Sequence, residues 1–265
     1  MQKQQLIMLL LVSVAAITLI VSVFMYLSNN TNEEEQTELL KAEVREKIKA
    51  FKLKKLIRQR DLILKKENFT QISQYQKYVT PAAQAVVSYV TNNSILTRNQ
   101  AYEAAVDWVW VSDQILHGKQ EHWMFPSVFL QTTSMLPTNP VSGRIASDCE
   151  SQAYTLVSIL EATGVSYENV RVVVGKVDFS GEIGGHAWVQ IYQNGEWFEL
   201  EPTSGPFWDE EDNKLVENMG MPFSYFLNRP YPVLEYWAFF NDVVFYNPHN
   251  GKQSSNLPSH WLNLS

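Results

Sequence analysis

The hydrophobic pattern begins with a block that no charged or helix-breaking residue interrupts: Leu6 to Leu27 carries no charge, no proline and no glycine. A helix of that length, rising 1.5 Å per residue, spans roughly 33 Å, the thickness of a bilayer's hydrocarbon core. The run is longer than the apolar centre of a secretory signal, and no small-x-small cleavage pattern follows it. The pattern therefore predicts an uncleaved transmembrane anchor over 6–27, behind a short tail of residues 1–5. Residues 28–66 read as a charged helical segment. From Gln36 to about Lys66 nothing breaks a helix, and Leu40, Val44, Ile48 and Phe51 form an apolar stripe among lysines and arginines. A stalk, a helix lying on anionic lipid and a helix docked on the following domain all fit this stripe.

From 67 to 265 the pattern is that of a folded domain. Thr97 and Gln100 form a capping pair ahead of an amphipathic helix predicted over 97–116, with Ala101, Ala104, Trp108, Val111 and Ile115 on its buried face. Trp108 and Trp110 read as core. A proline-punctuated stretch from Met124 to Val141 separates this helix from another. There Ser147 and Glu150, three apart, have the spacing of a capping box, Ala153, Leu156, Val157 and Leu160 recur at helical spacing, and Gly164 supplies a stop. Beyond Gly164 the texture turns to strand: "VRVVVGKVDF", "HAWVQIYQ" and "EWFELEP", the last two joined by Asn194-Gly195, a two-residue hairpin signal. Helices first and an antiparallel sheet later define an α+β domain.

Composition and charge sharpen this picture. An apolar content of 45% with 12% aromatics is ample for a packed core. The formal net charge of −7 hides an uneven distribution: residues 41–66 hold eleven Lys and Arg against three acids, whereas 67–265 hold nine against 21. An acidic domain argues against nucleic acid as a partner. Lys3 and the terminal amine precede the apolar span and "NNTNEEEQTE" follows it. That asymmetry favours a single-pass membrane protein whose C-terminal domain is extracytoplasmic.

Candidate chemistry centres on "SDCES" at 147–151, which holds Cys149, the single cysteine of the chain. It has no intrachain disulfide partner, and the first turn of a helix favours a thiolate through its free N–H groups and dipole. Strand alternation puts His186, Trp188 and Gln190 on one face and Ala187, Val189 and Ile191 on the other. On the hairpin partner, Trp197, Glu199 and Glu201 share a face, opposite Phe198 and Leu200. An imidazole and a carboxylate thus stand side by side on neighbouring strands. If the cysteine helix packs its N-terminus against them, nucleophile, base and orienting acid converge. Taken singly, each residue also reads as an ordinary core cysteine, strand histidine or solvated acid. No metal or cofactor is expected: His117 and His122 lack further nearby ligands, the acidic run Asp209–Asp212 lacks the loop glycine and alternating ligands of a calcium loop, and no nucleotide fingerprint occurs.

"SDCESQAYTLVSILEATGV", "VRVVVGKV" and "GGHAWVQIYQNGEWFELEPT", in that order, resemble the core of the transglutaminase-like superfamily of cysteine enzymes. The likeness runs from about Thr97 to Thr203 and includes the upstream Trp123 and Pro126. It implies a papain-like core, a cysteine-bearing helix packed on an antiparallel sheet, with Cys149 as nucleophile, His186 as base and Glu201 as third member of the triad. The family's usual third residue is Asp, one methylene shorter. The implied activity is that of a cofactor-free peptidase or amidase, working through a thioester on a protein or peptide substrate. Transglutaminase-type acyl transfer and a catalytically inactive, membrane-tethered peptide-binding module are the alternatives. Gln131 is the upstream candidate for a second oxyanion donor. The likeness ends at about Gly205; "FWDEEDNKL" and "YPVLEYWAFFNDVVFYNP" read as an aromatic-rich extension packed on the core. The oligomeric state is left open.

Overall fold

The run predicted as one helix over 97–116 is broken into three pieces in the computed structural model, which describes residues 73–263. The predicted anchor over 6–27 and the basic stretch to 66 lie outside the described residues. Among the described residues, no helix is long and apolar enough to cross a membrane. Helix α1 spans Gln84–Asn92 and α2 spans Arg98–Val106. The start of α2 is the predicted one: the Gln100 amide donates to the Thr97 hydroxyl and the Gln100 side chain accepts from the Thr97 amide. The chain then leaves the helix. Val109–Trp110 form strand β1, which pairs in parallel with β2 (Ala146–Ser147) and, on its other side, with β6 (Phe207–Asp209). Helix α3, Asp113–His117, follows. Trp108, Val109 and Val111 are all buried, and a helix with one apolar face cannot bury positions so close in sequence. A strand flanked on both edges can.

Helix α4 spans Pro126–Thr132 and α5, the cysteine helix, Cys149–Ala162. Beyond α5 come β3 (Val170–Phe179), β4 (Glu182–Gln193) and β5 (Glu196–Leu200), then β7 (Lys214–Val216), β8 (Val233–Phe240) and β9 (Phe245–Tyr246). The architecture is mixed α/β. A small sheet has the order β2-β1-β6-β7, and an antiparallel sheet of five strands has the order β5-β4-β3-β8-β9.

The β4–β5 turn explains the register of the larger sheet. Asn194 (φ 56°) and Gly195 (φ 92°) both adopt left-handed backbone, as a type I′ turn requires, and this sets Tyr192 opposite Trp197 and Gln190 opposite Glu199. With the register fixed, alternation divides the sheet into two buried faces. Ala187, Val189, Ile191, Phe198 and Leu200 join Ala153, Leu156, Val157 and Leu160 of α5 in one core. Trp188 and Trp197 point to the other side, where Val173 and Phe239 meet Phe226, Tyr231 and Trp261 of the C-terminal extension.

Arg171 fastens that extension. Its side chain is fully buried, with the guanidinium 3.9 Å from the ring centre of Trp197 and 4.0 Å from that of Phe239. It donates from Nε to Gln190 Oε1 at 2.8 Å, and from its terminal nitrogens to the Trp261 carbonyl at 2.8 Å and the Asn263 carbonyl at 3.4 Å. Burial pulls its pKa down to about 9.

Candidate active site

The start of α5 differs from the predicted capping box. Ser147 belongs to β2 and is fully buried, because pairing with Trp110 draws it into the small sheet. Asp148 takes the cap position without a side-chain bond to the helix. Glu150 does not reach back toward Ser147; its Oε2 accepts from the Cys149 thiol at 3.2 Å. The Ala187 backbone N–H, on β4, also reaches the sulfur. Burial, followed by the Glu150 and Asp148 carboxylates, pushes the thiol pKa well up, and the Ala187 amide offsets this only in part. Burial first, and then those two carboxylates, outweigh the thiolate-favouring effect expected of the helix start.

His186 and Glu201 meet directly, Nε2 to Oε2, at 2.8 Å. Their side chains are 12% and 4% exposed, so water screens the pair little. Gln190 and Glu199 mark the shared face, joined at 2.8 Å; Glu201, two residues beyond Glu199, lies on the same face and reaches His186. Its carboxylate is held at both oxygens. Oε1 accepts from the Thr203 amide at 3.0 Å and the Thr203 hydroxyl at 2.6 Å, while Oε2 also accepts from the Tyr231 hydroxyl. The Glu201 carbonyl accepts from Tyr102 of α2 at 3.1 Å and from Ser204 at 2.8 Å. Burial alone would raise the Glu201 pKa, but the His186 charge and the His186, Thr203 and Tyr231 hydrogen bonds leave it lowered. Burial likewise works against a charged His186, yet Glu201 outweighs it and the imidazole pKa is raised. With Nε2 engaged by Glu201, Nδ1 is the ring nitrogen left to exchange a proton.

The structure thus brings His186 and Glu201 into contact and sets the Cys149 sulfur against the residue that follows His186. Among the described residues no hydrogen bond joins sulfur and imidazole, since Glu150 occupies the thiol. Gln131 is solvent-exposed on α4 and is not the buried donor expected of an oxyanion site. Trp123 packs at tilted and edge-on angles in an aromatic group with Tyr75, Tyr78 and Tyr154, and Pro126 opens α4.

Solved structures of a bacterial protein resemble this chain. They are those of LapG from Legionella pneumophila. The calcium-bound form is 14% identical, covers 80% of this chain and 95% of its own, and has a TM-score of 0.42. The EGTA-treated form is 14% identical, with 73% and 95% covered and a TM-score of 0.41. No family model matches the sequence, and neither does any curated protein.

Sequence reasoning missed Thr203, Tyr231 and an acidic group next to Cys149. Thr203 had a local signal, since it follows Glu201 by two residues across a proline. Tyr231 had none, being 30 residues from its partner. The acidic group consists of Asp113, the first residue of α3, with Asp148, Glu150 and Glu121. The Asp113 and Asp148 carboxyls are adjacent; burial raises both, with Glu150 and Asp113 adding to the shift at Asp148, which sits well above the usual range. Asp113 Oδ2 accepts from the His122 amide, and the Asp113 and Asp148 carboxyls also hydrogen-bond each other. Burial, then Glu150, also raises Glu121. As the side chains lie, no three of His, Cys, Asp or Glu among the described residues are grouped to hold a metal. The His117 and His122 rings lie 4.3 Å apart, tilted at 52° to each other. The Asp209–Asp212 run forms the β6–β7 turn, with Asp209 Oδ1 accepting the Glu211 and Asp212 amides.

Proposed function

We propose that this chain is a transglutaminase-like cysteine peptidase or amidase, with Cys149 as nucleophile, His186 as general base and then acid, and Glu201 as the acid that orients the imidazole. The observation that carries the reading is the dry His186–Glu201 pair, one residue from the point where the Cys149 sulfur meets β4. A histidine held through Nε2 by a carboxylate is fixed in ring orientation and tautomer, and a sulfur at a helix start has backbone N–H groups beside it. In the reaction, Glu150 releases the thiol, Nδ1 of His186 takes its proton, and sulfur attacks a substrate carbonyl carbon. The N–H groups at the start of α5 hold the oxyanion. The imidazolium returns the proton to the departing amine as the C–N bond breaks, leaving a thioester. Water, deprotonated by His186, adds to that thioester; the acid leaves, and the proton goes back to sulfur. The substrate class is protein or peptide. The apolar segment 6–27 would anchor the chain, with the domain on the outer side.

The test is incubation of the full chain with a mixed peptide library, with and without a primary amine, read by mass spectrometry. Backbone cleavage or side-chain deamidation that is absent in Cys149→Ala is the expected result. An amine adduct with loss of ammonia would instead assign acyl transfer. A folded protein that modifies no peptide in either arm overturns the enzyme reading in favour of a tethered binding module.

A further inference from the structure

The Glu201 carboxylate receives four hydrogen bonds, and one of them comes from a part of the chain that lies outside the likeness to cysteine enzymes. Its Oε2 is shared between His186 Nε2 and the Tyr231 hydroxyl, and its Oε1 between the amide and hydroxyl of Thr203. Tyr231 belongs to the aromatic extension that covers the far face of the five-stranded sheet. Its ring stacks on Trp188 at 4.9 Å and meets Phe226 edge-on at 5.0 Å and Phe179 at 5.9 Å. Trp188 stands two residues along β4 from His186, on the same face, and Phe179 meets the His186 ring edge-on at 5.5 Å. One aromatic cluster therefore fixes both the imidazole and the phenol that brackets its carboxylate. Burial, reinforced by the Glu201 charge, holds the Tyr231 pKa well above its usual value, so the hydroxyl remains a donor.

The geometry also accounts for a glutamate where the resembling family has aspartate. A glutamate has one more rotatable bond, and an unanchored carboxylate at its end would sample several positions relative to the imidazole. Donors on both oxygens remove that freedom.

We infer that Tyr231 is a positioning residue of the triad: with Thr203 it fixes the longer Glu201 side chain so that Oε2 meets Nε2 of His186, which makes the C-terminal extension part of the catalytic machinery. The inference rests on the triad reading above, and the test separates the two. The full chain is labelled at Cys149 with iodoacetamide, and the His186 ring nitrogens are followed by NMR. Tyr231→Phe keeps the stacked ring and removes only the hydroxyl. It should slow labelling about tenfold, the effect of one hydrogen bond to a charged group, and should disturb the single Nε2–H tautomer of His186. Combining it with Glu201→Gln should slow labelling no further than Glu201→Gln alone. Glu201→Asp, which withdraws the carboxylate from Tyr231 and Thr203, should also be slower than wild type; a rate equal to or above wild type overturns the inference without reliance on any tyrosine variant. Wild-type labelling and an unchanged His186 spectrum in Tyr231→Phe overturn it too. If His186→Ala labels as fast as wild type, the triad reading itself falls; if His186→Ala is slow while Tyr231→Phe is not, only the role of Tyr231 falls.

Discussion

A His186→Ala variant should lose about a hundred- to ten-thousandfold in peptide turnover, the usual contribution of a positioned general base and acid. The same substitution should change stability in a pH-dependent way, because it leaves Glu201 buried beside an empty site. Glu201 has a lowered pKa, so its contribution is present above the ordinary glutamate value and is lost as the pH falls through the lowered one. His186 has a raised pKa, so its contribution is complete below the ordinary histidine value and is lost as the pH rises through the raised one. The two conditions overlap between about pH 4.3 and pH 6.5. Thermal melts of wild type and variant should therefore differ most in that window and converge on either side. A constant difference across the range would mean that the two groups are not paired as a charged couple.

An Arg171→Ala substitution should cost about 3–5 kcal/mol, the range for breaking a buried charged network from one side. It would leave the Gln190, Trp261 and Asn263 oxygens without their donor and empty the space between the Trp197 and Phe239 rings. Glu199 would suffer as well: burial already raises its pKa, and the nearby Arg171 charge is among the influences that lower it. Arg171→Lys should recover only part of the loss, because an ammonium cannot serve three acceptors from one plane between two rings. Urea unfolding gives the magnitude. Limited proteolysis gives the location, with new cleavage expected first near Trp261.

Local chemistry accounts for the parts of this molecule that its sequence makes legible. Asn194-Gly195 dictates a tight hairpin whatever surrounds it, and once the hairpin exists, alternation alone puts His186 and Glu201 on one face. Thr97 and Gln100 satisfy each other within one turn of helix. The parts that escape such reading depend on distant partners. Strand β1 is two residues long, too short to show a period, and exists because β2 and β6 arrive on its two edges; without them 97–116 has the pattern of a helix. Ser147 has the right spacing for a cap but is claimed by the same sheet. The carboxylates around Cys149 could be seen in "SDCES", yet their effect on the thiol depends on burial, and Asp148 is itself pushed up by Asp113, 35 positions upstream.

The clasp at Arg171 bears on the order in which the protein folds. The oxygens it grips belong to Trp261 and Asn263, and the phenol at Glu201 belongs to the same layer. Strands β3, β4 and β5 follow one another in sequence and can pair as hairpins, but their far face stays uncovered until that layer packs. The bracket around the Glu201 carboxylate is therefore completed after the sheet that carries it has formed.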